Sequence, residues 1–300
     1  MHPETHPSAL QGLLHGPWSA DPIPWTLLGI TGVAYLAGVI RLWRQHAALP
    51  RGLRWWEPAC FALGWLTIVA AQVSPLDWLS GQLFSAHMTQ HELLMLTAAP
   101  LLVAGRPLIV MLWALPATQR RAAGVLARRP VISRPWRVLT TPIVVWALHG
   151  AALWIWHLPS WYQAAVANDT IHLVQHACFL GTAALFWWTL VHGRYGRGGY
   201  GIAVLYVFTT MLHSGMLGAL LTFSPRPWYP LYAERAGAWN LLPVEDQQLA
   251  GLIMWIPFGV VFLIVGLAFF AAWLGEAERR RVHGSVETAV RAARKAADGA

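Results

Sequence analysis

Charge is what this 300-residue chain has least of. Only 11% of its residues are Asp, Glu, Lys or Arg, against roughly 25% in soluble domains. That shortage, beside a 56% hydrophobic content, argues against an ordinary soluble domain. Cysteine is almost missing as well: Cys60 and Cys178 cannot make a disulfide framework. Both lie in apolar runs and read as small buried side chains, and Cys178 points away from the helix face of His176. No Gly-rich phosphate loop, hydrolase nucleophile motif or H-E-x-x-H is present, which removes the usual enzyme signatures. The first 20 residues lack a basic stretch followed by an apolar core, so the first apolar run reads as an uncleaved anchor.

Long apolar runs are abundant instead. With 19 Trp and 10 Phe, the composition fits large lipid-facing and interfacial surfaces. A bilayer core of about 30 Å takes about 20 helical residues. On that measure, seven segments qualify: 24–43, 57–74, 85–104, 139–158, 170–191, 201–221 and 248–273. The predicted fold is all-α, a polytopic membrane bundle of seven transmembrane helices. The stretch 105–116, bounded by Pro107 and Pro116, is too short to cross and reads as re-entrant or interfacial. The net charge of +8 does not signal nucleic acid, because the basic residues sit in short stretches between apolar runs. All of the 21 Lys and Arg except Arg226 and Arg235 fall on one side of the predicted topology. That asymmetry puts the N-terminus outside and the C-terminus in the cytoplasm. Three regions follow: a periplasmic segment 1–23, a membrane domain 24–275 and a basic tail 276–300. In the tail, Val282, Val286 and Val290 predict a short amphipathic surface helix.

Histidine in a membrane span is costly and needs a reason. Two His-x3-His pairs, His87/His91 and His172/His176, stand near the starts of two different spans. A spacing of four places both rings of a pair on one helix face, and imidazole is the commonest protein metal ligand. At 1.5 Å per residue, the topology sorts the polar groups by depth. His87, His157, His172 and Asp246 form an upper tier, and His91, His149, His176, His213 and Met254 a lower one. Met95 and Met216 lie one turn from His91 and His213. A weak internal echo, His-x3-His followed by His149 and again by His213, fits a duplicated helix pair. These side chains predict at least one metal or haem site in the outer half. Imidazole with thioether favours copper, zinc suits His with Asp, and paired histidines suit haem b.

Other polar residues read less sharply. Glu92 is either a proton relay or metal-release group, or a near-surface acid held by a neighbour. Asp77 reads as a turn or cap residue. His2, His6 and His15 belong to the outer N-terminal stretch, while His46, His192 and His283 are cytoplasmic and carry no assignment. The outer connection 222–247, with Trp228, Tyr229, Tyr232 and Trp239, suits a cover over the histidines.

Four blocks carry a family resemblance: HMTQHELLMLTAAPLLVAGRPL at 87–108, WHLPSWYQAAV at 156–166, HLVQHACFLGTAALFWW at 172–188 and DQQLAGLIMWIPFG at 246–259. With these the chain resembles the multi-span cytochrome c oxidase assembly factors known as CtaG, the type associated with caa-type oxidases. The resemblance implies a seven-helix bacterial inner-membrane protein that handles copper during oxidase assembly and does not turn over a substrate. It carries over His87, His91, His157, His172, His176 and Asp246; His149, His213 and Met254 rest on depth. Its implied partners are the lipid bilayer, oxidase subunits and a periplasmic copper donor. The alternatives from other classes are a copper transporter or copper-tolerance permease, and a haem- or metal-dependent membrane oxidoreductase.

Overall fold

The computed structural model describes residues 9–45, 53–192 and 199–297, with backbone alone for residues 9, 10, 12, 45 and 282–297. His2, His6 and His46 lie outside the described residues, as do the side chains of His283 and the three tail valines. All regular structure among the described residues is helical. In chain order the helices are α1 (Ala9–His15), α2 (Pro22–Gln45), α3 (Trp56–Gln72), α4 (Pro75–Ser80), α5 (Phe84–Ala104), α6 (Pro107–Ala114) and α7 (Ala117–Arg128). They continue as α8 (Pro130–Leu139), α9 (Pro142–Trp156), α10 (Pro159–Ala167), α11 (Asp169–His192), α12 (Gly199–Phe223), α13 (Pro230–Ala236) and α14 (Pro243–Ala297).

Proline writes many of the boundaries: eight of these helices begin on it. At the first helical position its missing N–H has no partner to lose and its fixed φ already suits the helix. Inside α5, Pro100 has the opposite effect. It cannot donate to the turn before it, and the helix widens into a π segment at Leu93–Ala98. The Trp187 indole N–H donates to the Met95 carbonyl in that segment at 3.0 Å.

Four helices are long and apolar enough to cross a bilayer: Pro22–Arg44, Asp169–His192, Gly199–Phe223 and Pro243–Arg281. The count rises to six if the bent pairs Phe84–Ala104 with Pro107–Ala114 (54°) and Pro130–Leu139 with Pro142–Trp156 (68°) each make one span. The difference from seven is α3, whose 17 residues fall short of the roughly 20 a bilayer core takes. The predicted break after residue 104 is present. Arg106 adopts a left-handed φ of 51° at the turn. Tyr35 donates to the Gly105 carbonyl at 2.8 Å and Arg106 pairs with Glu57 at 3.3 Å. The tail differs from expectation: α14 continues unbroken to Ala297 instead of starting a separate surface helix.

The helices bury two main cores. The larger joins α5, α9, α11, α12 and α14 through Phe84, Met95, Leu153, Phe179, Phe186, Leu217 and Phe258. The smaller packs α2 against α3 and α6 through Tyr35, Val39, Phe61 and Val110. Large apolar side chains such as Leu205, Leu212, Leu263 and Ile264 remain exposed on the outer faces, which suits hydrocarbon as the surrounding solvent. Both cysteines are free and half-buried.

Helices α12 and α14 approach backbone to backbone. A Cβ on Gly251 would stand 2.7 Å from the Gly218 carbonyl oxygen and 2.7 Å from the Thr222 nitrogen. Small residues permit such contact in membranes, where packing replaces the hydrophobic drive. Gly251→Leu must force these helices apart. We expect a loss of about 1–3 kcal/mol, read as a lower thermal midpoint in detergent.

Candidate metal centre

The two His-x3-His pairs meet. Helix α5 presents His87 and His91, and α11 presents His172 and His176. The ring centroids are 4.5 Å apart for His87–His91, 4.0 Å for His172–His176, 5.0 Å for His87–His172 and 5.0 Å for His91–His176. His157, the residue that ends α9, adds a fifth ring 6.1 Å from His91. His172 is half-buried and the other four are buried. One nitrogen from each of His87, His172 and His176 lies within 4.8 Å of the other two.

Hydrogen bonds fix which nitrogen three of the five rings offer. The Tyr232 hydroxyl donates to the Ser80 carbonyl at 2.7 Å, so it accepts from His87 Nδ1 at 2.8 Å. His157 Nδ1 faces the Leu153 carbonyl at 2.6 Å, and His176 Nδ1 faces Gln72 Oε1 at 3.0 Å. Oxygens of those kinds only accept, so Nδ1 carries the proton on all three rings. Their Nε2 lone pairs are left bare, and Nε2 of His87, His157, His172 and His176 and both His91 nitrogens are buried without partners. A buried polar atom left so costs about 1–3 kcal/mol. This second-sphere pattern is the one that orients metal-binding imidazoles, so the residues present fit a metal ion.

Aromatic side chains roof the cluster. Tyr162 on α10 lies 5.0 Å from His87 and 5.9 Å from His157, and Tyr229 stacks on it at 4.2 Å. The Tyr229 hydroxyl donates to the His157 carbonyl at 2.8 Å. Burial raises the pKa of the Tyr232 hydroxyl above its ordinary value, which keeps it a neutral hydrogen-bonding group. The connection 222–247 thus covers the histidines through Tyr229 and Tyr232, whereas Trp239 packs on Trp78 at 5.9 Å, beside a separate small apolar cluster.

Other predicted site residues fall elsewhere. Asp246 receives the N-terminus of α5: its carboxylate accepts from the Phe84 N–H at 2.7 Å, the Ser85 N–H at 3.1 Å and the Ser85 hydroxyl at 2.5 Å. Its charge steadies the helix carrying His87 and His91, where a helix N-terminus favours an anion. His149 and His213 lie among other partners. His149 Nδ1 meets Thr182 Oγ1 at 3.1 Å, and that hydroxyl already donates to the Cys178 carbonyl at 2.8 Å. His213 sits against Trp146 at 5.7 Å and beside Gly150, with both ring nitrogens unpartnered. In place of the two tiers expected from depth, five of the seven histidines gather and His149 and His213 stand apart from them. Met254 and Met95 are buried in the main apolar core, and Met216 is exposed. Glu92 is buried with both oxygens unpartnered, so no neighbour holds it. His15 and His192 are exposed. Ser74 is the cap of α4, while Asp77 Oδ1 accepts from Gln90 Nε2 at 3.1 Å. Burial pushes the Asp77 carboxyl up to about 6.

Sequence reasoning missed Gln72, Thr182 and Tyr162. Tyr162 lies inside WHLPSWYQAAV, where its aromatic ring was a usable signal. Gln72 and Thr182 are single polar residues in apolar helices, and intramembrane polar residues tend to face partners.

The chain is similar to uncharacterized proteins of Mycobacterium bovis and Mycobacterium tuberculosis, each 28% identical over 279 residues. Another, from Mycobacterium leprae, is 24% identical over 269 residues. Each match covers 87% of this chain and 40% of the relative, so the chain spans less than half the length of these relatives. No solved structure matches it. The family model for the cytochrome c oxidase caa3 assembly factor, Caa3_CtaG, matches residues 33–276, and the chain belongs to that family.

Proposed function

We propose that this protein holds copper as cargo for cytochrome c oxidase assembly, at the imidazole cluster of His87, His172 and His176 with His91 and His157 adjoining. The observation that carries this reading is the set of bare, buried Nε2 atoms on three helices, three of them fixed by hydrogen bonds at Nδ1.

The ligand set also argues for the ion. No thiolate or carboxylate belongs to the triad, so it supplies no negative charge. Burying an ion costs energy in proportion to the square of its charge, so a divalent ion costs about four times as much as a monovalent one. Neutral nitrogen ligands in an apolar setting therefore favour Cu(I) over Zn(II) or Cu(II). Haem b fits poorly, because rings packed 4.0–5.0 Å apart leave no slot for a macrocycle. Neutral ligands without a closed thiolate cage also suit a donor, which must release its metal. In this reading the chain is not an enzyme.

The same reading takes α3 as a seventh span, with the N-terminus outside a bacterial inner membrane. Support comes from the basic residues, which cluster at the ends of the helices away from the histidines. Client oxidase subunits and a periplasmic copper donor are the partners it calls for.

Elemental analysis of detergent-purified protein tests the proposal. We expect about one copper per chain in the wild type. Substituting His87, His172 and His176 together by alanine is expected to abolish it, while helix content by circular dichroism is unchanged. Full retention in that variant would refute the assignment. Asp246→Ala should act differently. It orphans donors at the start of α5, at about 1–3 kcal/mol for each. A lower melting temperature and weakened copper retention are the expected readouts, with Asp246→Asn intermediate.

A further inference from the structure

A polar cleft of about 250 Å³ indents the structure beside the imidazole cluster, lined among others by Ser19, Asp21, Gln72, Asp77, Asp169 and His172. It is built by four separate pieces: the segment leading into α2, the end of α3, α4 and the start of α11. The N-terminal segment is fastened over it, with the Ser19 N–H donating to the Val73 carbonyl at 3.0 Å and the Trp25 indole to the Ser19 carbonyl at 2.9 Å. Three lining side chains are carboxylates and none is Lys or Arg. An acidic cleft alone would mean little. Here two of the lining residues also belong to the histidine site. His172 is a member of the triad and its buried Nε2 has no partner. Gln72 holds the Nδ1 proton of His176. The floor of the cleft is thus one wall of the metal centre.

We propose that this cleft is the loading vestibule for the site: a copper(I) ion carried as a cationic complex of small ligands is drawn in by Asp21, Asp77 and Asp169, sheds those ligands and passes to His172 without a change of oxidation state. The inference rests on the copper reading of the histidine cluster and adds its route of access. Size agrees, since a copper(I) ion with two or three water-sized donor groups at about 30 Å³ each fits within the volume available, whereas a folded donor protein cannot enter. Charge agrees too: a cleft of one sign with low-dielectric walls raises the capture rate of the opposite charge by 10–1,000-fold. Asp21 already spends one oxygen capping Ile23 at 2.9 Å, and Asp77 accepts from Gln90 at 3.1 Å and from the Ser19 side chain. With the second Asp21 oxygen and Asp169, these partly engaged carboxylates suit transient capture better than tight retention.

The test changes Asp21, Asp77 and Asp169 together to Asn, which keeps size and the capping acceptors. Anaerobic stopped-flow loading of the 300-residue chain in detergent with a cationic copper(I) complex should slow at least 10-fold and lose its dependence on salt, while copper bound at saturation is unchanged. A variant that loads at the wild-type rate with the wild-type salt dependence overturns the vestibule. A second probe separates this from the parent reading. Terbium(III), a carboxylate-seeking ion, should luminesce by energy transfer from nearby Trp25 in the wild type and in the His87/His172/His176 alanine variant, but not in the Asn variant. Terbium signal without copper binding in the wild type would sink the copper assignment and leave a cation cleft. Copper binding with no terbium signal and no loading defect would sink the cleft alone.

Discussion

An imidazole buried in an apolar bundle must put two nitrogens somewhere, and this structure depends on how it does so. Three rings of the cluster bury their Nδ1 proton in a tyrosine hydroxyl, a backbone carbonyl or a glutamine oxygen. That choice leaves each Nε2 lone pair without a protein donor, and nitrogens of His87 and His176 converge with one of His172 within 4.8 Å. The arrangement is expensive as a mere packing solution, because each buried nitrogen without a protein partner forfeits a hydrogen bond. It becomes favourable when an ion occupies the space, and the protein then needs no charge of its own there.

The rest of the architecture keeps those rings in place. Asp246 ties the first turn of α5 to α14, across 162 residues of sequence at its Phe84 contact. The π segment and Trp187 lock α5 against α11, so both histidine-bearing helices keep one register. Tyr162, Tyr229 and Tyr232 close one side of the cluster, and the hydroxyls of Tyr229 and Tyr232 also donate hydrogen bonds. Only His172 stays half-exposed, beside the acidic cleft. A closed site with one polar approach suits a protein that must load a reactive ion without letting it wander.

Much of this was legible in the sequence. Spacing alone paired His87 with His91 and His172 with His176, because a helix repeats its face every three to four residues. The expected depths also put His157 beside the pairs, and its ring does lie 6.1 Å from that of His91. Depth does not fix azimuth, however. His149 and His213 were expected at the level of His91 and His176, yet they face Thr182 and Trp146. The same blindness left Met216 exposed and put Asp246 under a helix terminus. The π segment was invisible because it arises from Pro100 and the tertiary contact of Trp187 together. The span count stays between four and six by length because α3 is short and two helices bend. Hydropathy windows average over such breaks.

The central claim is that imidazole Nε2 atoms, and no sulfur or carboxylate, hold copper in this cluster. X-ray absorption at the copper edge of the purified, reduced protein reads this directly. The account predicts a Cu(I) edge with about three nitrogen scatterers near 2.0 Å and the outer-shell pattern of imidazole. A sulfur shell near 2.3 Å, or a spectrum without imidazole scattering, would contradict it.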